Sequence, residues 1–138
     1  MSLSSIRLTT SDRHRLFVLL ARADRAGELD RAHAGELESE LREADVVAPE
    51  EAPPDLVTMR TTVRLRDLGS GEAGLCTLVY PEEADRGVGK ISVLEPLGAA
   101  LLGKRAGDTV DISLPGAPRR VWIDEILFQP EAAGRYDL

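Results

Sequence analysis

A chain of 138 residues with 43% hydrophobic content suffices for one ordinary domain, or two small ones, around a modest core. Its formal net charge of -7 and the lack of a dense Lys/Arg cluster argue against autonomous DNA or RNA binding and favour a protein partner. The longest apolar run, Leu16 to Ala21, falls far short of the roughly 20 residues of a membrane span, and no basic-then-apolar leader opens the chain. With Cys76 as the single cysteine, no internal disulfide can form, and the expectation is a cytoplasmic, monomeric protein.

The acidity is uneven. Residues 1–55 carry 12 acidic and 7 basic side chains, against 12 and 10 in residues 56–138. In the first part, Thr10 and Ser11 can cap a helix with Asp12 in its first turn. Leu16, Phe17, Leu20 and Ala21 follow at helical spacing, and Gly27 ends the run. From about residue 30 to residue 44, Ala34, Leu37, Leu41 and Ala44 recur like a coiled-coil seam. Two such helices joined by a short turn make an antiparallel hairpin. Glu36, Glu38, Glu40, Arg42 and Glu43 form its wet side, with Glu38 and Arg42 placed as an i,i+4 pair. Such a face is ordinarily solvated, and its alternative use is electrostatic attraction of a second protein.

"VVAPEEAPPD", Val46 to Asp55, breaks the helical pattern because proline lacks the N–H and restricts the residue before it. Val57, Met59, Thr61, Val63 and Leu65 then alternate with polar neighbours, which predicts a half-buried strand over 57–65. "GSG" at 69–71 supplies a turn, and 75–80, 91–94, 109–114 and 121–128 are further strand candidates. "PLGAALLGKRAGD" predicts one short helix across a mostly antiparallel sheet. The fold class is α+β: a helical hairpin over 1–48, a Pro-rich linker over 49–55, and a β-rich domain over 56–138.

Candidate chemistry is sparse. "GAALLGKR", Gly98 to Arg105, fits a P-loop until its last position, where Arg105 replaces the hydroxyl that would hold magnesium; its four central residues are apolar helix formers. His14 and His33 have no cysteine or carboxylate partners at metal-ligand spacing. Ser92 and Ser113 lack a nucleophile-elbow context, and Cys76 sits mid-strand without a basic neighbour. Glu82 with Glu83, and Asp124 with Glu125, are sequence neighbours rather than convergent acid-base pairs. The reading is a non-enzyme without metal or cofactor.

"ISVLEPLGAALLGKRAGDTVDISLPG", Ile91 to Gly116, resembles the C-terminal domain of the Gre-type transcription factors through Pro96, Leu97, Ala100, Leu101, Leu102, Gly103, Lys104, Gly107 and Asp108. "PPDLVTMRTTVRLRDLGSGE", "TLVYPEEA" and the ending "FQPEAAGRYDL" extend the resemblance, to short members of that family, over nearly the whole chain. It implies an FKBP-like second domain and binding to RNA polymerase at the rim of the secondary channel. The contact carries over to Leu94, Glu95, Pro96 and Leu97, of which only Pro96 keeps the family identity, since Glu95 stands where a serine is usual.

Gre hairpins are much longer and carry tip carboxylates that help hold a catalytic magnesium. Here about 15 residues per helix reach about 22 Å. Asp24, Glu28 and Asp30 surround the turn, and the expectation is competition with Gre-type factors without stimulated transcript cleavage. Any influence on nucleoside diphosphate kinase would then be indirect, through transcription. The FKBP-like fold also raises prolyl isomerase activity as an alternative. That chemistry needs an aromatic-lined pocket, for which the β-rich part offers Tyr80, Trp122, Phe128 and Tyr136.

Overall fold

The regular spacing of Leu16, Leu20 and Ala23 gives helix α1, Thr10–Arg25, one buried face. The computed structural model describes residues 6–25, 31–112 and 118–136. The helix cap is Thr9 rather than Thr10 or Ser11: the Thr9 Oγ1 accepts the Asp12 N–H at 3.1 Å. Asp12 itself is buried rather than set at a wet helix end. Thr9 closes strand β1, Arg7–Thr9, which pairs in parallel with β2, Asp45–Val47. Strands of three residues are too short to show a period, and both were missed from sequence.

Helix α2, Arg31–Glu43, returns along α1. Arg13 Nε donates to the Leu41 carbonyl at 2.8 Å, joining the start of α1 to the end of α2, so the helices run antiparallel. Leu37 and Leu41 are buried, and the Glu38–Arg42 pair forms at 2.6 Å. The turn with Glu28 and Asp30 lies outside the described residues, as do the side chains of Asp24, His33, Ala34 and Glu36.

The Pro-rich stretch is tied to its surroundings. Pro49–Glu51 forms a single 3-10 turn. The buried Gln129 amide donates to the carbonyls of Pro53 at 2.7 Å and Leu56 at 2.8 Å, and Arg105 grips Asp55 through two hydrogen bonds. The strand expected over 57–65 begins only at Thr62. Val57, Thr58, Met59 and Thr61 are all buried regardless of parity, because several elements converge on them. The Met59 N–H donates to Asp12 on α1, the Arg60 N–H to the Leu78 carbonyl, and the Thr58 hydroxyl to Glu131.

Beyond this knot lies a five-stranded sheet. Its strands are β3 (Thr62–Asp67), β4 (Ala73–Val79), β5 (Lys90–Ser92), β6 (Thr109–Ile112) and β7 (Arg119–Phe128), in the order β5-β4-β3-β7-β6. It is antiparallel except for β4 with β5. Register shifts between β3 and β7 near Thr62 and Arg64 mark bulges that curl it. Helix α3, Pro96–Leu101, follows β5. One cluster of buried residues runs from Leu16, Leu20, Leu37 and Leu41 of the hairpin to Val63, Leu78, Leu101 and Ile123. The molecule is thus α+β, with its helices sharing a core with the curled sheet.

Candidate functional site

The corner between β5 and α3 is built from short-range contacts. Pairing of Leu78 with Ile91 and Val79 with Ser92 fixes the strand, and the Val93 N–H donates to the Val79 carbonyl at 2.9 Å. The chain then turns on Ser92: its hydroxyl accepts from the Leu94 N–H at 3.1 Å, and its carbonyl accepts from the Glu95 N–H at 3.1 Å. The Glu95 carboxylate reaches back to accept the Ser92 N–H at 3.2 Å and pairs with Arg86. Glu95 therefore supports the corner in its own way, although serine is usual there in the family it resembles.

Pro96 occupies the first helical position, where its fixed φ suits the helix and its missing N–H costs nothing. Leu94, Glu95, Pro96 and Leu97 are all half-buried, and Leu94 and Leu97 pack against the core. A Cβ on Gly98 would sit 2.1 Å from the Ser92 carbonyl oxygen, so only glycine lets α3 fold back on β5. Gly103 adopts φ +76, and a Cβ there would meet Ile6 at 2.5 Å. Its N–H donates to the Val57 carbonyl, and the Lys104 carbonyl accepts from the Val57 N–H. The two glycines that imitate a P-loop thus serve close packing, and Lys104 needs no phosphate.

The remaining candidates are dispersed. Ser92 is consumed by the turn. Cys76 is buried, and desolvation with the nearby Glu95 charge pushes its thiol up to about 11, the opposite of a reactive thiolate. Ser113 lies outside the described residues. Glu83 pairs with Arg60 and Glu125 with Arg64, while Glu82 faces a separate groove. His14 is exposed on α1, and no metal-binding cluster occurs among the described residues. Tyr80 is buried, Trp122 half-buried, and Phe128 and Tyr136 exposed. The groove beside α1 is lined by one of these aromatics, Tyr80, and the groove beside α3 by none.

Residues 50–128 match the family model for the C-terminal part of the GreA/GreB transcription elongation factors. Across 137 residues the chain is 42% identical to a regulator of nucleoside diphosphate kinase from Escherichia coli, over 99% of this chain and 98% of that protein. The chain belongs to the GreA/GreB family. The transcription elongation factor GreA of Chlorobium phaeobacteroides is 46% identical over 88 residues, which is 63% of this chain and 55% of that protein. Among solved structures, a prokaryotic transcription elongation factor GreA/GreB from Nitrosomonas europaea aligns with a TM-score of 0.73 at 42% identity, over 90% of this chain and 98% of that one. The GreA/GreB match takes in the β5–α3 corner, both of its glycines and the sheet that carries them.

Sequence reasoning named the corner residues but missed Arg60 and the groove it borders. Arg60 holds φ 65, and nothing in "VTMRTTV" signals a left-handed residue. That conformation arises only where α1, β4 and the carboxyl-terminal turn press on one segment.

Proposed function

We propose that this GreA/GreB-family chain is a non-enzymatic RNA polymerase-binding transcription regulator that seats on the rim of the secondary channel and competes there with Gre-type factors. The observation that carries this reading is the β5–α3 corner. Leu94 and Leu97 offer apolar surface on a backbone already fixed by Ser92, Glu95 and Pro96, so little conformational entropy is lost on docking. In this reading residues 56–138 form the FKBP-like gripping module, residues 49–55 a strap, and residues 1–48 a short coiled-coil arm.

The arm is the part that distinguishes the outcome. A helix of 16 residues, like α1, extends about 24 Å. Asp24, Glu28 and Asp30 would end short of the polymerase active centre, so the protein occupies the channel mouth without delivering a carboxylate to the catalytic metal. An effect on nucleoside diphosphate kinase, the subject of the name carried by the Escherichia coli relative, follows indirectly from altered transcription.

The test is binding of the purified chain to core RNA polymerase with a Gre factor as competitor. Binding is expected to be displaceable and to be lost in a Pro96→Ala, Leu97→Asp double variant. Binding that a Gre factor leaves untouched would refute the shared site. Increased transcript cleavage in stalled elongation complexes would refute the short-arm argument.

A further inference from the structure

A groove of about 600 Å³ lies beside α1, sharing no lining residue with the Leu94–Leu97 corner. His14, Arg15 and Arg22 come from the helix, and Arg60, Tyr80 and Glu82 face them; Val18 and Leu19 add an apolar wall. Three guanidinium groups thus meet at one opening of a chain whose net charge is -7.

Three further observations single out this groove. Arg60 is the non-glycine residue held at positive φ among the described residues, a conformation costing about 1 kcal/mol. The strained backbone places its guanidinium 5.2 Å from the Tyr80 ring centroid, and Glu83 braces it at 3.0 Å from Nη2 and 3.1 Å from Nε. Tyr80 is only 6% exposed; its hydroxyl faces Arg15, whose guanidinium can only donate, and the phenol proton has no acceptor among the described residues. Arg22 is exposed and in no ion pair among the described residues.

The charges nearby narrow the ligand. Glu82 lines the groove, Glu83 occupies one edge of Arg60, and the Asp12 charge acts on Tyr80. A bare acidic peptide would meet Glu82 with like charge, whereas a molecule with anionic and hydroxyl groups at opposite ends satisfies both sides. Guanidinium forks match phosphoryl oxygens, and Arg60 keeps N–H donors beyond those given to Glu83. Burial and the Asp12 charge push the Tyr80 phenol above its ordinary range, which keeps it a donor.

We propose that this groove binds a small phosphorylated organic anion of nucleotide size. Its phosphoryl oxygens lie among Arg15, Arg22, Arg60 and the Tyr80 hydroxyl, and its hydroxyl-bearing part lies against Glu82 and Val18. The volume falls within the range of small-molecule sites. Inorganic polyphosphate shares the phosphoryl chemistry and is the alternative source.

Isothermal titration of the full chain at low salt, with ATP and inorganic tripolyphosphate as separate probes, tests the site. Saturable ATP binding is expected, weakened about tenfold or more by Arg22→Glu and by Tyr80→Phe. Arg22 is exposed and Phe keeps the Tyr80 ring, so both variants should melt like the parent. Equal affinity for tripolyphosphate would support the site and assign polyphosphate as its source. Absence of saturable heat from either probe at about 1 mM, or undiminished binding by both variants, overturns the proposal.

Discussion

Asp12 ties the hairpin to the segment that leads into β3 at an electrostatic cost that depends on pH. It is 1% exposed, and its Oδ2 accepts the Met59 N–H at 3.0 Å. Burial, with the Glu131 charge adding to it, raises its pKa from 3.8 to about 6, against the opposing pull of Met59 and Arg15. A folded-state pKa above the unfolded value means that the native protein binds the extra proton between about pH 4 and 6. The carboxylate is therefore without penalty below about pH 4, and its ionisation costs the fold progressively as pH rises through about 6. At pH 7.5 the full difference amounts to about 3 kcal/mol. Asp12→Asn keeps an oxygen able to accept the Met59 N–H while removing the charge. Urea unfolding of both proteins from pH 4.5 to 7.5 isolates this group from the other carboxylates. Because part of the loss already lies below pH 4.5, the stability of the parent relative to Asp12→Asn should fall by about 2 kcal/mol across that range. A difference that stays flat would refute the claim that burial governs this carboxylate.

Two further substitutions and one reagent probe other contacts. Gly98→Ala places a methyl group 2.1 Å from the Ser92 carbonyl oxygen. It should push α3 off β5, lower stability by about 3 kcal/mol in denaturant titration, and, under the proposed function, weaken polymerase binding with it. Gly74→Ala, where a Cβ meets nothing within 4 Å, serves as the silent control and should leave the unfolding midpoint within about 0.5 kcal/mol of the parent. The Cys76 thiol, buried and pushed up to about 11, should react with a thiol-specific chromogenic disulfide only as fast as the chain opens. Rapid labelling of the native protein at neutral pH would show that strand β4 is exposed.

Local pattern carried much of the fold. The 3-4 spacing of Leu37 and Leu41 specified the inner face of α2, and Glu38 with Arg42 four residues on specified the pair that forms across one turn. The alternation from Thr62 onward, and the Gly/Ser turn after Asp67, specified the β3–β4 hairpin, because strand period and turn chemistry are local properties. The corner residues were legible through a motif: Pro96 at the start of a helix and Gly103 after its end follow rules that need no neighbours.

What the sequence alone determined was the type of the longer elements and the position of the β5–α3 corner, since both follow from propensities and spacings within about ten residues. Tertiary structure decided the rest. The alternation of Val57, Met59 and Thr61 looked like strand, but contacts from Asp12, Leu78 and Glu131 draw that segment into a knot in which all of its residues except Arg60 are buried. Burial of Asp12, the left-handed turn at Arg60 and the arginine-lined groove beside Tyr80 all arise where that knot meets α1. They depend on residues some 20 to 70 positions apart in the chain, and no local period encodes such a meeting.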